Sequence, residues 1–338
     1  MTASANETDF LTCDCTKYAN ITTSANHYIF YILEILTNCI VINLICVFGI
    51  VGNSINILVL CKHGFQETTN IILVALAASD LLFCIILPMT RLKCIVSQFD
   101  PGFAVTLNTF VTVYLLMPKY VCYATSLCYV TVIAVERLVA VFFPFKVSRI
   151  FNRALVKTIV VSVPNVAIVA LIPTFLALTF SWIFYADLDQ TLAVVRYTKF
   201  YLDHKDFLDY YAWVGLNYFF CVSSIVITSV CCIAIGIKLH QAAVKRETMT
   251  LRSSGYDVRV VRMLVTICVV FLVVTIPNVG LFSYFVPNFI FTSTLHKLID
   301  NFCAILYAIN SSANFLVYVT MSKKFARTYK SLLCAYKY

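Results

Sequence analysis

"CYVTVIAVERLVAVFFP", residues 128–144, sets Glu136 and Arg137 side by side inside a run of valine, isoleucine, alanine and phenylalanine. A soluble core rarely buries such a pair, and a solvated helix would not surround it with apolar side chains. The rest of the chain keeps this character: 338 residues, 61% hydrophobic, 12% charged, mean hydropathy +0.88. That is the composition of a membrane protein. A bilayer core about 30 Å thick takes about 20 apolar residues as helix. Runs of at least that length fall at 33–61, 70–92, 104–142, 154–182, 208–237, 259–286 and 298–320. The predicted fold is therefore an all-α membrane protein, a seven-transmembrane helical bundle. A short amphipathic membrane-surface helix follows the seventh span. Residues 1–32 read as an extracellular tail, 33–320 as the bundle, and 321–338 as the amphipathic helix with a short cytoplasmic tail. The opening residues carry no basic n-region, so no cleaved signal peptide is expected.

Most of the 25 Lys and Arg residues fall at Arg137, on the loops of one side, or on the C-terminal tail. By the positive-inside rule that side is cytoplasmic. Only Glu67, Glu136, Glu247 and Asp257 share it among the acids, so the net +9 is a basic inner face and not a nucleic-acid signal. The sequons at Asn6 and Asn20 support an outside N-terminus at the plasma membrane, where both are glycosylation candidates. Most of the 15 cysteines lie inside spans, where a free thiol acts as a small apolar group. Cys13, Cys15, Cys94 and Cys39 are the ones placed to meet an oxidising exterior, and a bridge from the tail to Cys94 is one expectation. Cys334, just past the amphipathic stretch, is a lipidation candidate.

Polar side chains in hydrocarbon are costly enough to mark function. They cluster as Asn53 and Asn56 in span 1, Asp80 in span 2, Ser126 with Glu136 and Arg137 in span 3, and Asn310, Ser311 and Asn314 in span 7. Asp80 has no cationic residue at its depth. It is either protonated in a static hydrogen-bonded core or shares its site with a cation.

"GNSINILVL", "LAASDLL", "ERLVAVFFP" and "NSSANFLVY", in that order on spans 1, 2, 3 and 7, together resemble rhodopsin-like (class A) G-protein-coupled receptors. Other wording, "KHGFQETTNIILVALAASDLL", is similar to invertebrate FMRFamide-type peptide receptors and mollusc chemosensory receptors. The resemblance implies a receptor that passes an extracellular peptide or small-molecule ligand's message to a heterotrimeric G protein. It implies a sodium pocket of Asp80, Ser126, Asn310 and Asn314, with no other cofactor. It implies that Glu136 holds Arg137 at rest, that Asp257 supplies a second acid, and that Phe271, Asn314 and Tyr318 take part in the switch. Phe325 matches the phenylalanine of the surface helix.

Several positions depart from the family pattern. Thr112 replaces the outer span-3 cysteine, and no cysteine lies between Trp182 and Tyr218, so the second outer loop needs another tether. Thr275 stands for the span-6 tryptophan and Phe315 for the span-7 proline, while the span-4 tryptophan and span-5 proline have no counterpart. Span 7 is therefore expected to run straighter.

Lys119, with its neighbour Tyr120, is the ligand-binding candidate. Eighteen residues before Arg137, Lys119 is expected near the outer end of span 3, where a lysine disfavours a protonated amine and favours an acidic or carbonyl-rich ligand. The alternative is a side chain that snorkels to the headgroups or pairs with an acid of the 183–209 loop. Pro118 is expected to bend the helix there. The loop at 183–209 contains "AVVRYTKFYLD", whose alternation suggests a hairpin lid. An opsin is excluded because Ala308 occupies the Schiff-base position. A transporter would show repeats with broken spans, and an enzyme would show a cluster of reactive side chains. The remaining rival is a seven-span receptor that binds without coupling.

Overall fold

The computed structural model describes residues 31–247, 255–285 and 294–335. Seven helices are long and apolar enough to cross a membrane, the first running from Tyr31 to His63 and the last from Lys297 to Met321. We number them α1 (Ile42–His63), α2 (Thr68–Met89), α3 (Pro101–Phe142), α4 (Arg153–Phe175), α5 (Ser223–Glu247), α6 (Gly255–Phe285) and α7 (Thr294–Met321). α8 (Lys323–Ala335) follows after one residue. Asn6 and Asn20 lie outside the described residues, as do the side chains of Asp257 and Cys334.

The bundle inverts the soluble pattern. Leu44, Leu58, Val169 and Val273 are largely exposed, while Asn53, Asn56, Asp80, Ser126 and Ser311 are buried. Such a surface suits lipid, because hydrocarbon outside the bundle is as apolar as the side chains facing it. α2 packs on α1 and α3, and α7 closes the ring against α1 and α6. Gly49 permits the close approach of spans 1, 2 and 7, since a Cβ there would collide with Ser312 and Cys84.

Span 4 is shorter than its apolar run suggests. α4 ends at Phe175, and the aromatic and β-branched residues that follow form strand β1 (Leu178–Tyr185). β1 pairs antiparallel with β2 (Gln190–Tyr197), Leu178 facing Tyr197 and Tyr185 facing Gln190. The expected lid is therefore present but begins and ends earlier in the chain. Residues Lys199–Asp203 of the alternating stretch are helical, started by the Thr198 hydroxyl, which accepts from the Tyr201 amide at 3.3 Å. Tyr201 stacks on Tyr197 at 4.3 Å and donates to Asp209 at 2.9 Å. Burial first, then this carboxylate, holds the Tyr201 phenol above the ordinary tyrosine value.

The lid's tether is supplied without a cysteine. Thr109 of α3 donates to the Ala193 carbonyl at 2.9 Å, and the Ala193 amide donates to Thr106 at 3.3 Å. Phe110 meets Phe180 and Trp182 edge-on at 5.1 and 6.1 Å. The outer disulfide joins Cys39 to Cys94, so Cys94 pairs within the bundle and not with the tail. Cys39 sits in a π-helical turn (Leu36–Val41), whose wider winding differs from that of α1 below it.

α3 starts at Pro101, capped by Asp100, whose side chain accepts from the Phe103 amide at 2.9 Å. At 1.5 Å per residue its 42 residues span about 63 Å, twice the hydrocarbon thickness. Lys119 thus lies at mid-length, well below the outer tip, and is only 8% exposed, so it does not snorkel. Pro118 does not interrupt the helix. α7 likewise runs unbroken, and Phe315 fills the place of a proline with a ring packed on Phe48, Phe325 and Tyr329. Span 5 has no proline but contains a π-helical stretch, Tyr211–Val222.

Candidate functional site

The two charges of the opening stretch are held together at the inner end of the bundle. Glu136 is almost wholly buried, and its Oε1 lies 3.0 Å from an Arg137 guanidinium nitrogen. Thr69, in the first turn of α2, completes the arrangement. Its hydroxyl donates to the same Oε1 at 2.6 Å and accepts a hydrogen bond from Arg137. One hydroxyl therefore serves both charges, as only a group with both donor and acceptor capacity can. The remaining Glu136 oxygen and Arg137 Nε have no partner among the described residues. Among the described residues the pair is thus held along one edge.

Beside it lies a cavity of about 80 Å³ lined by residues including Arg137, Thr69, Glu67, His63, Met263 and Tyr318. Its walls come from spans 1, 2, 3, 6 and 7 and from α8. Tyr318 is buried, its hydroxyl has no partner among the described residues, and its ring sits 5.5 Å from that of Phe325. Phe325 is itself buried, so α8 is anchored to the bundle by an apolar residue and starts on the Ser322 hydroxyl, which accepts from its amide at 3.2 Å. Phe271 is 1% exposed in the core of α6.

Deeper in the bundle, both oxygens of Asp80 are engaged. Ser126 donates to Oδ1 at 2.7 Å and the Asn314 amide to Oδ2 at 2.8 Å. The buried Ser311 hydroxyl stands beside the same carboxylate. Asn53 donates to the Ser311 carbonyl at 2.8 Å, tying α1 to α7. Asn310 is buried on the same helix, but no hydrogen bond joins it to Asp80. Of the four residues expected around this carboxylate, the structure brings together Asp80, Ser126 and Asn314. No ion pair reaches Asp80 from the described residues.

Above this level, Tyr123 and Tyr307 meet at 4.2 Å, with Phe83 packed on both. Thr275 is buried beside Tyr123. The Lys119 ammonium lies 4.6 Å from the Tyr120 ring centroid, within cation–π range.

Thr69, Thr106 and Thr109 were not distinguishable in the sequence, because a threonine in an apolar helix is as often a back-bonding residue as an interhelical one.

The chain is thus a seven-span bundle with a charge pair gripped at one end and a hairpin at the other. Residues 52–318 match the family described as 7 transmembrane receptor (rhodopsin family), and the chain belongs to that family. It is 24% identical over 310 residues to somatostatin receptor type 2 of Sus scrofa, covering 87% of this chain and 76% of that one. It is 24% identical over 299 residues to somatostatin receptor type 5 of Rattus norvegicus, covering 86% and 76%. It is 25% identical over 288 residues to growth hormone secretagogue receptor type 1 of Oryctolagus cuniculus, covering 82% and 75%. The chain is a rhodopsin-like G-protein-coupled receptor, a multi-pass protein of the plasma membrane, and not an enzyme.

Proposed function

We propose that the receptor reports an extracellular peptide to a heterotrimeric G protein, with its N-terminus outside and its basic face in the cytoplasm. The somatostatin receptors among its relatives support a peptide ligand, and the lid formed by β1 and β2 suits one. The observation that carries the signalling mechanism is the Thr69–Glu136–Arg137 contact beside the inner cavity. At rest the guanidinium is held by Glu136 and Thr69. In the active state it leaves them and meets the G protein, as outward movement of α6 opens the inner end between Met263 and Arg137. A ligand drives this change only by binding the open state more tightly than the closed one. Asp257 would serve as a second acid for Arg137, with Phe271, Asn314 and Tyr318 as the side chains that repack.

A sodium ion beside Asp80 belongs to the same proposal. The donors there, the Asp80 carboxylate and the Ser126 and Ser311 hydroxyls, are hard oxygens that suit a small hard cation. A fully buried carboxylate without a cationic partner among the described residues favours either a bound cation or a proton. Asn310 and Asn314 would contribute once their amide oxygens turned inward. When bound, the ion would supply a positive charge that holds spans 2, 3 and 7 in the resting arrangement. Glycosylation at Asn6 and Asn20 and lipidation at Cys334 complete the reading.

The test is Arg137→Ala in cells carrying a G-protein reporter with a promiscuous Gα, challenged with a peptide library. Loss of signalling at unchanged surface expression is expected. A variant that signals as wild type would overturn the mechanism.

A further inference from the structure

Among the described residues, charge is unbalanced around Arg91. Arg91, in the turn after α2, pairs with Asp300 of α7 at 2.8 Å and donates to Asn301 Oδ1 at 3.4 Å. Lys119 is buried to 8% exposure with its ammonium over the Tyr120 ring, and among the described residues no carboxylate comes within ion-pair distance. Arg91 and Asp300 are both near enough to act on Lys119 through their charges, so all three belong to one cluster. Among the described residues two cations therefore face one acid, and that acid pairs with Arg91.

A second observation points the same way. Asn301 is 3% exposed, and its Nδ2 has no acceptor among the described residues. Arginine has donors only, so the Arg91 contact fixes the Asn301 amide with its oxygen toward the guanidinium and its NH2 group turned away. A buried ammonium without a counter-anion among the described residues and a buried amide donor without an acceptor are both costly, and an anion that reached both would satisfy them.

We propose that Lys119, Asn301 and Arg91 form an anion seat that takes a carboxylate of the ligand, either its C-terminal group or an Asp or Glu side chain. Lys119 supplies the unbalanced charge, Asn301 a directed hydrogen bond, and Arg91 is shared between the incoming carboxylate and Asp300. The inference rests on the peptide-receptor reading for the nature of the ligand and narrows it. A ligand led by a protonated amine is repelled here, and an acidic one is drawn in. Because Arg91 and Asp300 join spans 2 and 7, a carboxylate that draws Arg91 aside loosens the outer contact between them, giving the ligand a direct hold on α7.

The test uses a simple probe. Purified receptor is unfolded thermally, followed through the reactivity of its buried cysteines, in disodium succinate or in succinamide with sodium matched by NaCl and the remaining ionic strength by choline chloride. Succinate is expected to raise the midpoint by about 2–4 °C through binding to the folded state, and succinamide to leave it unchanged. Lys119→Gln should abolish the shift and Lys119→Arg should keep most of it. Asp300→Asn, which frees Arg91, should strengthen it at least threefold in succinate concentration and guards against a fold defect in the lysine variant. Equal responses to succinate and succinamide, no response to either, or a Lys119→Gln variant that responds as wild type would each overturn the proposal. The probe is not a peptide and the readout is not signalling, so failure here leaves the peptide-receptor reading standing. A receptor that responds to succinate but to no peptide would sink that reading instead.

Discussion

Removing the Thr69 hydroxyl tests the proposed switch at a residue that touches both of its charges. In Thr69→Ala, Glu136 loses a 2.6 Å donor and Arg137 loses an acceptor. Hydrogen bonds to charged groups contribute about 1.5–3 kcal/mol each. The neighbouring cavity of about 80 Å³ has room for water to replace part of this, and Arg137 is itself 13% exposed. The net loss to the resting state is then about 1–2 kcal/mol, a factor of about 5–30 in a two-state ratio. From an active population of about 1%, within the usual range for a minor state, basal activity rises to about 5–25% of maximum. Ligand-free reporter signalling, normalised to surface expression, measures this directly. Thr69→Ser keeps the hydroxyl and should stay at the wild-type baseline, whereas Thr69→Val keeps the shape and should behave as Thr69→Ala. Basal signalling in Thr69→Ala and Thr69→Val equal to wild type would refute the reasoning, because the shared hydroxyl would then hold nothing that activation breaks.

Three further predictions concern the rest of the bundle. Exchanging sodium for choline should lower the thermal stability of the wild type but not of Asp80→Asn; a wild type indifferent to sodium would favour a static core around Asp80. Cys39→Ser and Cys94→Ser should each destabilise the receptor, by up to about 4 kcal/mol for a closed loop with a separation of 55 residues. The double variant should be no worse than either single one, and an additive loss would contradict the bridge. Thr109→Val should cost the lid about 1 kcal/mol, so hairpin amides would exchange about fivefold faster. Unchanged exchange there would show that the Phe110 cluster holds the lid unaided.

Much of the architecture was legible in the sequence because the bilayer is a simple solvent. It requires long apolar helices with internally satisfied backbones, so composition alone located seven spans, and the cost of burying polar groups singled out Asp80, Ser126, Glu136, Arg137 and Asn314. The signal failed where apolar residues serve another purpose. The run through residue 182 reads as helix by hydropathy, yet from Leu178 its aromatic and β-branched side chains pair with β2 outside the bundle. Lys119 seemed close to the outer end because hydropathy does not show how far α3 extends past the membrane.

The seven spans and the buried charges were thus determined by the sequence itself, since each follows from the transfer of single side chains between water and hydrocarbon. Partnership was decided only by tertiary structure. Thr69 beneath Glu136 and Arg137, Ala193 on Thr106 and Thr109, Cys39 with Cys94, and Arg91 with Asp300 all join segments far apart in the chain. Such contacts depend on which helix faces meet and at what depth, and that is settled by packing across the whole bundle and not by the local residue pattern.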